Sequence, residues 1–188
     1  MSKQDSTKGD KENNISQTLE VSYKQYYNLL YNYGMKLICN PDLVQDFIQD
    51  IFIKLHKREE INLITNLKVY LLHAMRNTVY DYYSSRKETI SIDEMDFFIP
   101  EDDLILRKLH SKDDNELRKR QNLIQAIRSL SGQQKQILYL FYIKNLSHKE
   151  ISEVLNISRK HSDKYTFYTL MFDCSFAQRI QSNLNYYE

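Results

Sequence analysis

The stretch LSHKEISEVLNISRKHSDKY, residues 146–165, decides the fold of the second half of the chain. Its Ser147-x-x-Glu150 spacing is typical of a capping box, in which both side chains bond the free amides of a helix start. Three apolar residues follow at helical spacing: Ile151, Val154 and Leu155. Asn156 then predicts a turn, and Ser158 predicts the cap of a further helix. This spacing indicates a helix-turn-helix, which usually binds DNA but also occurs in proteins that do not.

Composition predicts an all-α cytoplasmic protein. The 188 residues include only three Gly and two Pro, which favours helices. The sequence contains no apolar run long enough for membrane insertion, and its first residues lack the apolar core of a secretory signal. Cys39 and Cys174 have no metal-ligand spacing, so we predict reduced thiols and no metal or other cofactor.

Charge is unevenly distributed along the chain, although the net charge is only +1. Residues 88–116 contain ten acidic and three basic residues, whereas residues 117–160 contain nine basic and two acidic ones. The basic block favours a polyanionic partner such as nucleic acid, and the acidic segment indicates a solvated linker. Within this linker, IDEMDFFIPEDDL (92–104) either packs locally or stays mobile. Ordinary solvated surfaces explain the same charges equally well.

The first half of the chain predicts a disordered tail and then two helices. Residues 1–20 have almost nothing to bury, so we expect disorder there. From Val21, Tyr and Leu recur at helical spacing, and Gly34 weakens this helix without ending it. Asn40-Pro41-Asp42 breaks the chain, since Pro suits the first turn of a new helix. The second helix has a continuous apolar face: Leu43, Val44, Phe47, Ile48, Ile51, Phe52 and Leu55.

The opposite face of this second helix carries a polar stripe of Asp46, Gln49, Asp50 and Lys54. Its three candidate docking residues, Asp46, Gln49 and Asp50, we call the acidic stripe. Spacings of three and four residues place these side chains on one side of a helix. Such a surface suits a basic partner. A merely solvated face is the alternative interpretation.

A third helix, predicted from Leu67 to Tyr83, combines aromatic and basic residues. An aromatic ring that stacks on an unpaired base contributes about 1–3 kcal/mol, while Arg and Lys bind phosphates. The candidates for contact with single-stranded nucleic acid are Tyr70, Arg76, Asn77, Tyr80, Arg86 and Lys87. The alternative for any single Tyr is a role in the core.

Three stretches together resemble one family: LVQDFIQDIFIKLHK (43–57), LKVYLLHAMRNTVYDYY (67–83) and IRSLSGQQKQILYLFYIKNLSHKEISEVLNIS (127–158). They are similar to the bacterial RNA polymerase sigma factors of the extracytoplasmic-function (ECF) type, in the sigma-70 family. The resemblance runs from about Ser22 to Lys160. It implies two small helical domains, the region 2 bundle and the region 4 helix-turn-helix, joined by the acidic linker. The implied segments are a disordered tail (1–20), region 2 (21–87), the linker (88–116), region 4 (117–172) and a divergent tail (173–188).

The resemblance also implies partners and roles. Asp46, Gln49 and Asp50 would dock on the beta-prime subunit of core RNA polymerase. The beta subunit of the polymerase would also contact the chain. The candidate residues of the third helix would read the minus-ten promoter element. A second set would read the minus-thirty-five element: Ser158, Arg159, Lys160, His161 and Lys164. The chain would not be an enzyme, since the polymerase supplies the chemistry. Whether an anti-sigma factor binds is left open.

Two departures from the family pattern qualify these expectations. Ser84-Ser85 stand where many members have a basic run, which predicts weaker phosphate contact. Ser162 stands where the family usually has Val, and Asp163 adds a negative charge near phosphates. We therefore predict weak minus-thirty-five recognition, improved by Thr-Val at positions 161 and 162. The alternatives are a stand-alone helix-turn-helix regulator that dimerises through its first helices, and a sigma-like decoy that binds only protein.

Overall fold

The computed structural model describes residues 6–57, 64–86, 97–99, 121, 124–125, 127–158, 160 and 162, with residues 6–16 as backbone alone. The chain divides into two compact units, Met1–Glu88 and Thr89–Glu188. The elements are α1 (Ser6–Ile38), α2 (Pro41–His56), α3 (Leu67–Ser85), α4 (Gly132–Leu138), a π-helical segment (Tyr139–Ile143) and α5 (His148–Leu155). Every one of these elements is helical, so the predicted all-α, two-domain fold is confirmed.

Three helices form the core of the first unit, where each of α1, α2 and α3 contacts the other two. Their inward faces carry fully buried side chains: Leu30, Tyr33, Val44, Ile48, Leu55, Leu71, Leu72, Met75 and Val79. Burial of one such aliphatic side chain stabilises the fold by about 1.5–3 kcal/mol. The apolar face predicted for α2 is therefore the face that builds this core.

Asparagine caps begin both α2 and α3. The Asn40 side chain accepts a hydrogen bond from the Leu43 N–H at 3.2 Å, and Pro41 occupies the first turn of α2. Asn66 accepts a hydrogen bond from the Val69 N–H at 3.2 Å in the same way. These bonds satisfy amides that have no partner within the helix. The predicted chain break before α2 is confirmed.

The first helix begins earlier than composition predicts. α1 starts at Ser6, inside the segment 1–20 for which we expected disorder, and Leu19 is only 8% exposed. Each residue added to an existing helix gains a backbone hydrogen bond, so a polar sequence can extend a helix that packing has already nucleated. The prediction of disorder is therefore wrong for the described residues Ser6–Glu20.

Gly34 lies where the three helices of the first unit meet. A Cβ atom at this position would be 2.8 Å from Val44 Cγ1 and 3.3 Å from Met75 Sδ. Real Cβ atoms essentially never approach another heavy atom as closely as 2.8 Å. The missing side chain is thus what allows α1 to approach α2 and α3 closely, and α1 continues past it to Ile38 as predicted.

Two capping boxes start the helices of the second unit. Ser131 Oγ accepts the Gln134 N–H at 3.3 Å, and Gln134 Oε1 accepts the Ser131 N–H at 2.9 Å. Ser147 Oγ accepts the Glu150 N–H at 3.3 Å, and Glu150 Oε2 accepts the Ser147 N–H at 2.8 Å. Both capping boxes predicted from the sequence are confirmed.

The turn after α5 also lies where the sequence predicts it. Asn156 has φ 52° and ψ 47°, a left-handed conformation that Asn tolerates better than most residues. The Ile157 N–H donates to the Ser152 carbonyl at 3.1 Å, and helical backbone resumes at Lys160 and Ser162. The helix, turn and start of a second helix predicted for residues 146–165 are confirmed over the residues described there, which are 146–158, 160 and 162.

Part of the acidic segment packs within the second unit. Phe97 is fully buried, with its ring centroid 5.5 Å from that of Tyr139. The charge pattern predicts a solvated linker, but one buried aromatic ring has enough apolar area to fix a short polar segment locally. At Phe97 the structure therefore shows the local packing that the sequence left open for residues 92–104.

We expect Ser147→Ala to destabilise the second unit by about 1 kcal/mol, because it removes the oxygen that caps α5. Native-state hydrogen exchange of the α5 amides measures the loss. Ser147→Thr keeps a capping hydroxyl and should retain most of the protection. Equal protection in the Ala and Thr variants would contradict the role of this cap.

Candidate functional site

The acidic stripe lies on the outer face of α2. Asp46, Gln49 and Asp50 are all exposed, while the opposite face of the helix is buried in the core. Neither carboxylate forms an ion pair with another described residue. The packing of α2 therefore presents these three side chains together to solvent, as the spacing predicts.

An exposed apolar side chain continues the acidic stripe. Ile53 is 51% exposed, and it follows Gln49 by four residues and Asp50 by three. At these spacings the side chains are neighbours on one helix face. Ile53 was not predicted to belong to this surface, although its spacing from Gln49 and Asp50 is visible in the sequence. A surface with both carboxylates and an apolar side chain can combine charge attraction with apolar burial.

The candidate residues of α3 differ widely in exposure. Asn77 and Arg86 are exposed, and Tyr70 and Tyr80 are partly buried. The Asn77 side-chain nitrogen lies 2.8 Å from His73 Nε2, which orients the amide. Lys87 lies outside the described residues.

Arg76 lies in an environment that its sequence pattern does not indicate. It is only 3% exposed, and its guanidinium carbon lies 4.4 Å from the centroid of the Tyr80 ring, one turn further along α3. Arg76 Nε and the Tyr80 hydroxyl are buried without a hydrogen-bond partner among the described residues. Leaving such groups unpaired is costly. Phosphate contact by Arg76 stays a prediction, and it would require the guanidinium to leave this buried stack.

A second arginine–tyrosine stack lies near the end of α3. The Arg86 guanidinium carbon is 4.3 Å from the centroid of the Tyr82 ring, and Arg86 is exposed. Tyr82 in turn packs edge-on against Phe47 of α2, with centroids 5.5 Å apart. The contact with Phe47 anchors Tyr82 to the core, so Tyr82 holds Arg86 at the surface.

Only two of the five residues predicted to contact the minus-thirty-five element belong to the described residues. Ser158 and Lys160 are exposed, whereas Arg159, His161 and Lys164 lie outside the described residues. Ser162 is fully buried, and its Oγ lies 3.2 Å from His148 Nδ1. Sequence reasoning missed His148, since no local spacing rule links residues fourteen positions apart.

The described residues hold no group of three or more His, Cys, Asp and Glu side chains arranged to bind a metal ion. None of the helices in the described part of the chain combines the length and apolar character needed to cross a membrane.

The acidic stripe, the candidate residues of α3 up to Arg86 and the helix-turn-helix all lie within regions that match known protein families. Residues 22–89, which contain α2 and α3, match the family Sigma-70 region 2. Residues 120–166, which contain α4 and α5, match the family Sigma-70, region 4. The chain is also 23% identical over 153 residues to the ECF RNA polymerase sigma factor SigM of Bacillus subtilis (strain 168), covering 80% of this chain and 89% of that protein.

The two matched regions follow each other in the order that the sequence analysis expects, and each coincides with helices found in the structure. Members of this family are transcription initiation factors. The chain therefore belongs to the sigma-70 family, as an ECF-type sigma factor that directs promoter recognition.

Proposed function

We propose that this sigma factor binds core RNA polymerase through the acidic stripe of α2 and reads promoter DNA with α3 and the helix-turn-helix. The observation that carries the proposal is the joint exposure of Asp46, Gln49 and Asp50 on a helix whose other face is buried. The protein would act in the cytoplasm, where its polymerase is found. It would contribute no catalytic group, because the polymerase performs the chemistry.

The stripe fits a basic, rod-like partner such as the coiled coil of the beta-prime subunit. Two carboxylates one helical turn apart match a row of cations on a facing helix, and complementary charge accelerates encounter and fixes register. Ile53 supports the same surface, since its exposed side chain would lose contact with water on docking. The chain would also contact the beta subunit, and we propose no specific residue for that contact.

Residues along α3, and Arg86 directly after it, suit an unpaired minus-ten strand. Arg86 presents a charged, planar group at the surface, and Asn77 presents an oriented amide that can bond a base edge. Tyr70 and Tyr80 are only partly buried. Stacking and charge together would replace the contacts that a base loses when the duplex opens.

Run-off transcription with core polymerase from the source organism tests the proposal as a whole. The sigma factor should produce transcripts of defined length from genomic fragments, which core alone should not. A stand-alone regulator would fail to bind core, and a decoy would bind core without opening DNA. Either result would overturn the proposal.

We expect Asn77→Ala combined with Arg86→Ala to lower the yield of open complex by about tenfold, since two surface contacts with the unpaired strand are lost. Binding to core polymerase should not change, because both residues lie outside the acidic stripe. Permanganate footprinting on a fixed promoter measures opening. Lys24→Ala with Asn28→Ala, at exposed positions of α1, is the matched control. Equal opening by the test and control variants would remove these residues from the minus-ten surface.

Binding of duplex DNA by the second unit should depend on salt, because its cations displace counterions from phosphates. With about three phosphate contacts, affinity should fall roughly 40-fold between 50 and 200 mM salt. Lys160→Ala should reduce the slope, whereas Lys54→Ala on α2 should not, although both lysines are exposed. Titration of the full chain with a duplex at several salt concentrations measures this. A flat dependence would contradict an electrostatic contact.

A further inference from the structure

His148 contacts two other parts of the helix-turn-helix. It is the first residue of α5, and its ring stacks on Phe141 of the π-helical segment with centroids 4.7 Å apart and planes 19° apart. Its Nδ1 lies 3.2 Å from Ser162 Oγ, beyond the turn. The tautomer of His148 determines which of these two atoms donates. One side chain thus links the segment before α5, α5 itself and the helical backbone after the turn.

Ser162 is the inward-facing residue of that helical backbone. Its side chain is fully buried, and its N–H donates to the Ser158 carbonyl at 3.2 Å, as in a first helical turn. Lys160, two residues earlier, is exposed. Residues two apart lie about 200° around a helix. Docking Ser162 inward therefore turns Lys160 outward.

A buried serine needs a partner to hold it in place. An apolar residue at this position would be held by burial of its apolar surface alone. A buried hydroxyl is accommodated when it forms a hydrogen bond. The hydrogen bond is also directional, so it restrains the rotation of the helix about its own axis. Stacking on Phe141 limits the orientation of the His148 ring, which aims Nδ1 at Ser162.

We propose that the hydrogen bond between His148 and Ser162 positions the second helix of the helix-turn-helix for DNA recognition. Both are positioning residues, and neither is assigned a contact with DNA. The inference rests on the proposed role of this helix in minus-thirty-five recognition. It reverses the expectation from the family pattern that Val at position 162 improves recognition, because in this chain the partner of that position is a histidine.

Binding of the holoenzyme to two duplexes tests the inference, with full-length sigma throughout. One duplex is selected by the unaltered holoenzyme from a random-sequence pool, and the other is unrelated. His148→Phe keeps an aromatic ring but removes the hydrogen bond, as does Ser162→Ala. Each should weaken binding to the selected duplex about fivefold, the ratio expected for one hydrogen bond. The double variant should be no weaker than either single one, because both remove the same bond.

Two further measurements separate positioning from general destabilisation. Ser162→Thr keeps the hydroxyl and should bind the selected duplex within about twofold of the unaltered protein, whereas Ser162→Val should not. The ¹⁵N shift of His148 Nδ1 should change in Ser162→Ala and Ser162→Val but return in Ser162→Thr. Affinity for the unrelated duplex should stay constant, since non-specific binding depends on charge.

Tighter or equal binding of the selected duplex by Ser162→Val would overturn the inference, as would additive losses in the double variant. An equal loss on both duplexes would indicate a folding defect and would also overturn it. If the unaltered holoenzyme selects no duplex, the proposed minus-thirty-five role itself fails. That outcome is distinguishable from selection that is unaffected by the substitutions.

Discussion

Replacing both Asp46 and Asp50 with Arg should weaken the binding of this sigma factor to core RNA polymerase by about 100-fold, or about 2.7 kcal/mol. Each substitution turns a proposed attraction into a like-charge contact, and such contacts cost several kcal/mol in a complex. Both residues are exposed, so the core of the first unit should not be disturbed. Titration of labelled core polymerase with each variant measures the affinity, and circular dichroism checks the helices.

Glu20→Arg with Asp81→Arg is the matched control, since it makes the same change in net charge at exposed positions outside the stripe. Glu20 accepts a hydrogen bond from Lys24 at 2.7 Å, which lowers the pKa of its carboxyl, but this exposed pair should contribute little to stability. The control should bind core with nearly unchanged affinity. Similar affinities for the two double variants would show that the acidic stripe is not the docking surface.

Replacing Gly34 with Ala should destabilise the first unit by about 2 kcal/mol, because the new methyl group collides with Val44. A valine side chain cannot swing its methyl groups away without changing rotamer. The higher helix propensity of Ala offsets about 1 kcal/mol of a larger packing cost. Hydrogen exchange of the α1, α2 and α3 amides in the full-length protein measures the change.

A double-mutant cycle identifies the cause. Val44→Ala alone should destabilise by leaving a cavity, but it also makes room for a methyl group at position 34. The double variant should therefore be more stable than the sum of the two single effects predicts. Asn28→Ala, at an exposed position of α1, shows the effect of helix propensity alone. An additive cycle, or a stabilising Gly34→Ala, would contradict the close approach of α1 to α2.

Local sequence patterns were sufficient to predict most helix boundaries. Asn40 and Pro41 start α2, and two Ser-x-x-Gln/Glu boxes start α4 and α5 where predicted. These signals act through backbone amides within three or four residues, so the sequence contains all the atoms involved. The acidic stripe was predictable for the same reason, because the apolar face of α2 had to be buried and the opposite face then had to be exposed.

Other features depend on residues that are distant in the sequence. The buried stack of Arg76 on Tyr80 depends on the packing around α3, although the spacing of the two residues was visible. The side chains that a Cβ atom at Gly34 would contact, Val44 and Met75, belong to two other helices. In each case the sequence gives the identity of the residue but not which side chains surround it in the fold.

The sequence by itself determined that the chain is helical, that it has two domains and that α2 carries an acidic outer face. Only the tertiary structure decided that Phe97 packs on Tyr139 and that His148 meets Ser162 across the turn. The reason is physical: caps and helix faces arise from interactions over a few residues, whereas burial and side-chain pairing depend on which surfaces meet when the helices pack. Ser162 therefore departs from the family pattern in the sequence, whereas in the fold it is a buried residue that contacts His148.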